Sequence, residues 1–206
     1  MTTEKLVVRQ LAVMPYQPVY LAMQAFTEKR SAEANDELWF LEHKSVYTQG
    51  RAGKDQHILN ADKIPVVQSD RGGQVTYHGP GQLTVYMLLD LKRLGFGVRD
   101  LVNLIESSLV AMLAHWGIEA APRSDAPGVY VDGAKIAALG LRIKKGCSYH
   151  GLNLNIDMDM DPWSGINPCG LGVPVTQMAT LIDKQNMPSR NQVLNRLLSE
   201  LRRTTR

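Results

Sequence analysis

Apolar residues cluster along this chain in short runs separated by turn-forming residues. KLVVRQLAV (residues 5–13), ELWFLEH (37–43), IPVVQSD (64–70) and QLTVYMLLDL (82–91) each read as strands, the last as a buried one. After Pro15 and Pro18, VYLAMQAFTEKR places Val19, Ala22, Met23 and Phe26 at helical spacing. The clearest helix is VRDLVNLIESSLVAMLAHWG. Its stripe is Val98, Leu101, Val102, Ile105, Leu109, Met112, Leu113 and Trp116, and Gly117 supplies the stop. Asp132-Gly133 between two apolar runs is a hairpin signal, Lys144 to Gly146 offers a second turn, and Ser189 caps a last amphipathic helix.

Strands and helices do not alternate regularly, so the pattern predicts an α+β fold, a mixed sheet flanked by helices. One catalytic-type domain is expected over residues 1–206, with its core at about 32–180 and a C-terminal helix at about 189–205. The tail after about residue 175 reads as an appendage to it.

Composition narrows the function. The net charge is +3, with basic residues scattered apart from RIKKG and LRRTTR. No basic stripe with interleaved aromatics is present, which argues against a nucleic-acid partner; a weak basic bias suits steering of an acidic protein. The N-terminus lacks the layout of a secretory signal, and the longest apolar stretch is too short to cross a bilayer. With only two cysteines, a disulfide framework is not expected. A cytoplasmic monomer with reduced thiols is the expectation.

Three places carry potential chemistry. SDRGGQVTYHGPGQ (69–82) has five Gly or Pro residues ahead of a buried strand. Adjacent glycines let a backbone approach a ligand closely, although two tight turns would use the same residues. The stretch is neither a Walker loop nor a dinucleotide fingerprint, and Arg71 and His78 flank it. Lys135 falls, by alternation, on the face of Ala137, Leu139, Leu141 and Ile143, while His150 falls with Leu152, Leu154 and Ile156. An even-numbered turn between the two strands turns Lys135 and His150 to the same side. A lysine on an apolar face loses hydration and favours its neutral form, whereas one beside a turn snorkels into water. Cys169 sits in INPCGLG between Pro168 and Gly170, a loop setting unlike that of a buried structural thiol; Cys147 fits the structural role. A nucleophilic thiol needs a proton acceptor nearby, and Lys135 or His150 offers one; spacing alone does not pair them.

DRGGQVTYHGPGQ, GAKIAALGLRI, CSYHGLNLNI and INPCG, in this order, resemble the octanoyltransferases, or lipoyl(octanoyl) transferases. The resemblance runs from about residue 5 to about 180. It implies the fold of lipoate- and biotin-protein ligases and a cytoplasmic enzyme of lipoate biosynthesis. Such an enzyme moves octanoyl from acyl carrier protein to a lysine on lipoyl domains of 2-oxoacid dehydrogenases or on the glycine-cleavage H protein. By the same resemblance, Cys169 is the acyl-thioester nucleophile and Lys135 its acid/base partner. The acyl pocket is expected from Arg71, Gly72, Gly73, Gln74, Val75, Thr76, Tyr77 and His78, with Ala138, Leu139 and Gly140, and His150, Gly151, Leu152 and Asn153. Where the family commonly has Ser-Leu-Gly, this chain has Ala138-Leu139-Gly140, which removes a hydroxyl. Backbone N–H groups of Gly72, Gly73 or Gly170 are the expected oxyanion donors. Neither cofactor nor metal is expected, since one thioester is exchanged for another and then for an amide. The competing readings are an ATP-dependent lipoate ligase on the same fold, a cysteine acyl hydrolase, and a non-catalytic binding module.

Overall fold

The computed structural model describes residues 6–168 and 172–203. Its main sheet has seven strands in the order β1-β2-β6-β10-β9-β8-β7. These are β1 (Leu6–Met14), β2 (Asp36–His43), β6 (Gln82–Leu88), β7 (Ala121–Pro122), β8 (Gly128–Val131), β9 (Ala134–Lys144) and β10 (Cys147–Asn155). The first two strands run parallel and every other pairing is antiparallel. A smaller sheet sets β3 (Val46–Gln49) between β4 (Val66–Gln68) and β5 (Val75–His78). The helices are α1 (Tyr16–Lys29), a single turn α2 (Leu91–Leu94), α3 (Val98–Ala114) and α4 (Arg190–Arg203).

Period-two alternation sends each strand's side chains to two different layers. On one face Leu38, Phe40, Val85, Met87, Leu152 and Leu154 pack with Leu101, Ile105, Leu109 and Leu113 of α3. Val193, Leu194, Leu197 and Leu201 of α4 join that same core, so the tail is not a detached appendage. On the other face Trp39, Leu41, Tyr86, Leu88 and Tyr149 meet Tyr16, Val19, Tyr20 and Met23 of α1. That helix starts three residues earlier than its apolar spacing indicated. Pro15 is its N-cap and Pro18 lies in the first turn, where no intrahelical donor is needed.

Both hairpin turns fall where the sequence placed them. Asp132 and Gly133 have φ of 48° and 80°, and Lys145 and Gly146 have 55° and 81°, the left-handed pair that two-residue hairpins require. Two local departures then re-aim two of the candidate side chains. Between Val129 and Tyr130 the register slips, so Ala137 pairs with Val129 while Lys135 pairs with Tyr130. Ile136 is the extra residue, and it enters the α3 core together with Ala137. Lys135 is therefore sent to the α1 face, not to the face of Ala137, Leu139 and Leu141 as simple alternation would have it. The second departure is His150, whose φ of 60° within β10 turns its ring against Tyr20 and Tyr149 on the α1 side. Each residue leaves its expected face, and both arrive on the same one.

A buried carboxylate ties three elements beside this layer. Asp36, opening β2, accepts from Arg30 at the end of α1 (2.8 Å), from Arg93 of α2 (2.7 Å) and from the Asp90 backbone N–H (2.7 Å). The Arg30 side chain is 3 % exposed, so removing its partner strands a buried charge. We expect Asp36→Ala to lower the unfolding free energy by roughly 3–5 kcal/mol, read as a shift of the urea midpoint.

Candidate active site

A cavity of about 430 Å³ opens over the α1 face of the main sheet and along β9 beyond its pairing with β8. Its floor follows from the register. One row across three strands is Tyr86, Gly151 and Gly140; the next is Thr84, Asn153, Ala138 and Gly128, of which Asn153 and Ala138 line the cavity. Glycine and alanine at these positions leave a trough where larger side chains would fill the space. Gly128 also makes room for Lys135, since a Cβ there would stand 2.8 Å from the Ala137 carbonyl and 3.3 Å from the lysine Cε.

The glycine-rich segment forms one wall and is held from both sides. Arg51 N–H donates to the Arg71 carbonyl (2.9 Å), Ala52 N–H to Gly73 (3.1 Å), and Gly72 N–H to Leu141 on β9 (2.9 Å). The last bond consumes the Gly72 donor, so Gly72 drops out as an oxyanion donor. Behind the segment runs a chain of buried polar groups. Arg71 donates through Nε and Nη2 to the Thr48 hydroxyl (3.0 and 2.9 Å), and Thr48 bonds His78 Nε2 (3.1 Å). Gln82 spends its NH₂ on the Tyr77 and Asn155 oxygens, leaving its carbonyl to accept from His78 Nδ1 at 2.8 Å. The direction of every proton in the chain is thereby fixed.

Lys135 is 8 % exposed, with Nζ 5.3 Å from the Tyr130 ring centroid. Its backbone N–H donates to the Pro174 carbonyl (2.8 Å), and its carbonyl accepts from Thr176 N–H (3.0 Å). Pro168, Val173 and Val175 also line the cavity, and Asn167 Oδ1 accepts from Gly172 N–H at 3.2 Å. Cys169 and Gly170, between these positions, lie outside the described residues. Cys147 pairs with Lys144, nine residues along β9 from Lys135, and burial pushes its thiol up from the usual range.

His150 is oriented by a carboxylate. Burial holds its imidazole below the usual value, against the pull of Asp70, so the neutral ring donates Nε2–H to Asp70 at 2.9 Å. Burial alone would raise the Asp70 carboxyl, but hydrogen bonds from His150, Tyr149 and Gln24 outweigh it and hold Asp70 ionised well below the carboxylate range.

Of the residues assigned to the pocket from sequence, Arg71 to Thr76, His78, Ala138 to Gly140, His150, Gly151 and Asn153 line the cavity together with Lys135. Tyr77 and Leu152 do not. Alternation turns Tyr77 into the cluster with Tyr47 and Ile166, and Leu152 into the α3 core. Sequence reasoning missed Tyr16, Tyr86, Val98, Val102 and Trp163. Val98 and Val102 belonged to the apolar stripe of α3, and only the exposure of Val98, at 51 %, separates them from its core-facing members. Tyr86 becomes visible only through its register with Gly151.

The family described as lipoyl protein ligase A/B catalytic domain matches residues 15–202. An octanoyltransferase of Pseudomonas putida (strain W619) is 60% identical over 174 residues, 84% of this chain and 81% of that protein. One from Pseudomonas savastanoi pv. phaseolicola is 55% identical over 194 residues, 94% and 88% of the two chains. Among solved structures, lipoate-protein ligase A bound with ATP superposes with a TM-score of 0.76 at 18% identity, covering 96% of this chain and 84% of that one. The biotin protein ligase of Aquifex aeolicus gives 0.58 at 13% identity, covering 96% and 67%. The mixed sheet with flanking helices is thus the fold of these ligase catalytic domains. Among the described residues no helix is long and apolar enough to cross a membrane.

The buried histidines around the cavity make stability depend on pH. Burial pushes His43 down to about 4, and holds His78 and His150 below their ordinary value too. Each is neutral in the fold and charged in the unfolded chain once pH falls below about 6.5. Protons then favour the unfolded state, so stability is level above that pH and falls as pH drops toward 4. For His43 alone the loss is on the order of 3 kcal/mol across that window. Urea midpoints at pH 7 and pH 5 check this, and His43→Gln should flatten the slope.

Proposed function

Because the chain belongs to the octanoyltransferases of the lipoyl protein ligase A/B family and moves octanoyl groups in lipoate biosynthesis, we propose that it takes octanoyl from acyl carrier protein through a Cys169 thioester. Its acceptor is a lysine of a lipoyl domain, those of 2-oxoacid dehydrogenases and the glycine-cleavage H protein among them. It does so in the cytoplasm as a monomer. The observation that carries this reading is the position of Lys135. A buried amine stands in the wall of a cavity that is also lined by Pro168, the chain neighbour of Cys169, and by Val173 and Val175 beyond it.

In the first half-reaction Lys135, as a neutral amine, takes the Cys169 proton, and the thiolate attacks the carrier's thioester carbonyl. As the tetrahedral intermediate collapses, the C–S bond to pantetheine breaks and Lys135 returns the proton to the departing sulfur. In the second, the target lysine arrives as a free amine and attacks the Cys169 thioester. Lys135 accepts a proton from its nitrogen and passes it to the Cys169 sulfur as that bond breaks, leaving an amide. One thioester replaces another near energetic balance and the amide forms downhill, so the reaction calls for neither ATP nor a metal. With Gly72 committed to Leu141, the remaining backbone donors for the oxyanion are those of Gly73 and Gly170.

The glycine trough supports acyl binding on the α1 face. The apolar side chains of Val75, Val98, Val102 and Leu139 suit a saturated chain, and the one carboxylate among the described lining residues, Asp125, is paired with Arg123. An adenylate-forming ligase would instead activate free octanoate with ATP.

Mixing the enzyme with octanoyl-acyl carrier protein, without acceptor, should give an octanoyl adduct on Cys169 by intact-mass analysis. Cys169→Ala should give none; an adduct surviving in that variant, or ATP-dependent activity on free octanoate, overturns the reading. Lys135→Met should slow single-turnover acylation by about a hundredfold or more with little change in carrier affinity. An unaltered rate would remove Lys135 from the chemistry.

A further inference from the structure

The cavity has an open end and a closed one. Val98, half exposed, marks the mouth, whereas Tyr16, His78, Tyr86 and His150 are its deeply buried aromatic lining side chains, at 4 %, 2 %, 4 % and 1 % exposure. Among these four, Tyr86 projects from the floor itself, at the end of the row Tyr86, Gly151, Gly140. The next row toward Lys135 is Thr84, Asn153, Ala138, Gly128. A chain laid along the trough from the lysine meets no side chain larger than asparagine in these rows until it reaches the Tyr86 ring.

That ring cannot swing aside. Its hydroxyl lies 2.6 Å from His43 Nε2, and His43 Nδ1 lies 3.0 Å from the Met14 carbonyl. A carbonyl only accepts, so Nδ1 carries the proton and the bare Nε2 receives the Tyr86 O–H. His43 is 0 % exposed and edge-on to Tyr16 and His78. The polar atoms of Tyr16 and His78 are also engaged, Tyr16 with Ser69 at 2.8 Å and His78 with Thr48 and Gln82, while His150 keeps one ring nitrogen, Nδ1, without a partner among the described residues. Around Tyr86 these groups turn mainly ring carbon to the cavity, a suitable stop for a methyl group.

We infer that Tyr86, locked by His43, is the end stop of the acyl trough and sets the chain length this enzyme transfers. The inference rests on placing the thioester at the Lys135 end. Ordinary strand geometry separates Lys135 from the Tyr86 row by about 13 Å along the strands and about 10 Å across two strand gaps, roughly 16 Å between Cα atoms. At a C–C bond of about 1.5 Å an extended eight-carbon chain spans roughly 9 Å, well within that separation. A twelve-carbon chain, at roughly 14 Å, uses nearly all of it before the thioester and the phenol ring are given their own width, and so meets Tyr86.

The test is a chain-length profile, measured as single-turnover acyl transfer from carrier loaded with four to twelve carbons. Tyr86→Leu should raise transfer of ten- and twelve-carbon chains at least tenfold relative to eight, while Tyr86→Phe, which keeps the ring but frees it from His43, should relax the profile in the same direction by a smaller factor. Ala138→Leu puts bulk in mid-trough at a position outside the core. It should cut eight-carbon transfer at least tenfold relative to four-carbon transfer, and it serves if Tyr86→Leu does not fold. An Ala138→Leu profile that shifts while Tyr86→Leu matches the wild type would place the stop elsewhere and overturn the inference. If Ala138→Leu leaves the profile unchanged, the trough does not hold the acyl chain, and the inference falls with that placement even where the Cys169 adduct still forms.

Discussion

One irregularity in strand pairing organises this molecule. Because Ile136 is inserted between the pairs Ala137–Val129 and Lys135–Tyr130, two consecutive apolar side chains enter the α3 core and the lysine is left facing the other way. A regular β9 would bury the amine against Leu139 and Leu141 and leave the trough without its basic group. The burial of Ile136, at 0 % exposure, holds the bulge in place. The core thus specifies the direction of Lys135.

How much of this is legible from sequence differs by level. The strands, the two hairpin turns and the long helix follow from local pattern, because turn chemistry and hydrophobic spacing are local properties. The glycine-rich segment, Lys135 and His150 were each recognisable as candidates for the same reason. What alternation could not supply was their direction. It assigned Lys135 and His150 to the α3 face, and a bulge and a left-handed residue moved both to the α1 face. Their convergence was expected for the wrong reason. Tyr77 and Leu152 were gathered into the pocket because they sit within its motifs, yet a motif is contiguous and a strand face takes alternate residues. Tyr86 and Tyr16 carry no motif at all. Only register across β6 and β10, and the packing of α1, bring them to the site.

The deep end of the cavity combines polar residue types with apolar behaviour. Arg71, Thr48, His78 and Gln82 form one hydrogen-bonded series, and Met14, His43 and Tyr86 another. Each series fixes ring orientation through the backbone or a side-chain amide, so rings are aimed more rigidly than aliphatic side chains of similar size would be. Asp70 does the same for His150. The cost is sensitivity to acid, since the same burial that keeps these rings neutral leaves them no solvent when protons are plentiful.

The two hydrogen bonds joining the Lys135 main chain to Pro174 and Thr176 have a consequence for partial unfolding. The segment from Pro174 to Thr176 is stitched to the very residue that bears the amine. A fluctuation that peels this segment away therefore disturbs the backbone of Lys135 in the same event. Under the proposed mechanism such an opening would withdraw the base while it loosened the chain that follows Cys169, and would not leave a half-assembled site from which a loaded thioester leaks its fatty chain to water.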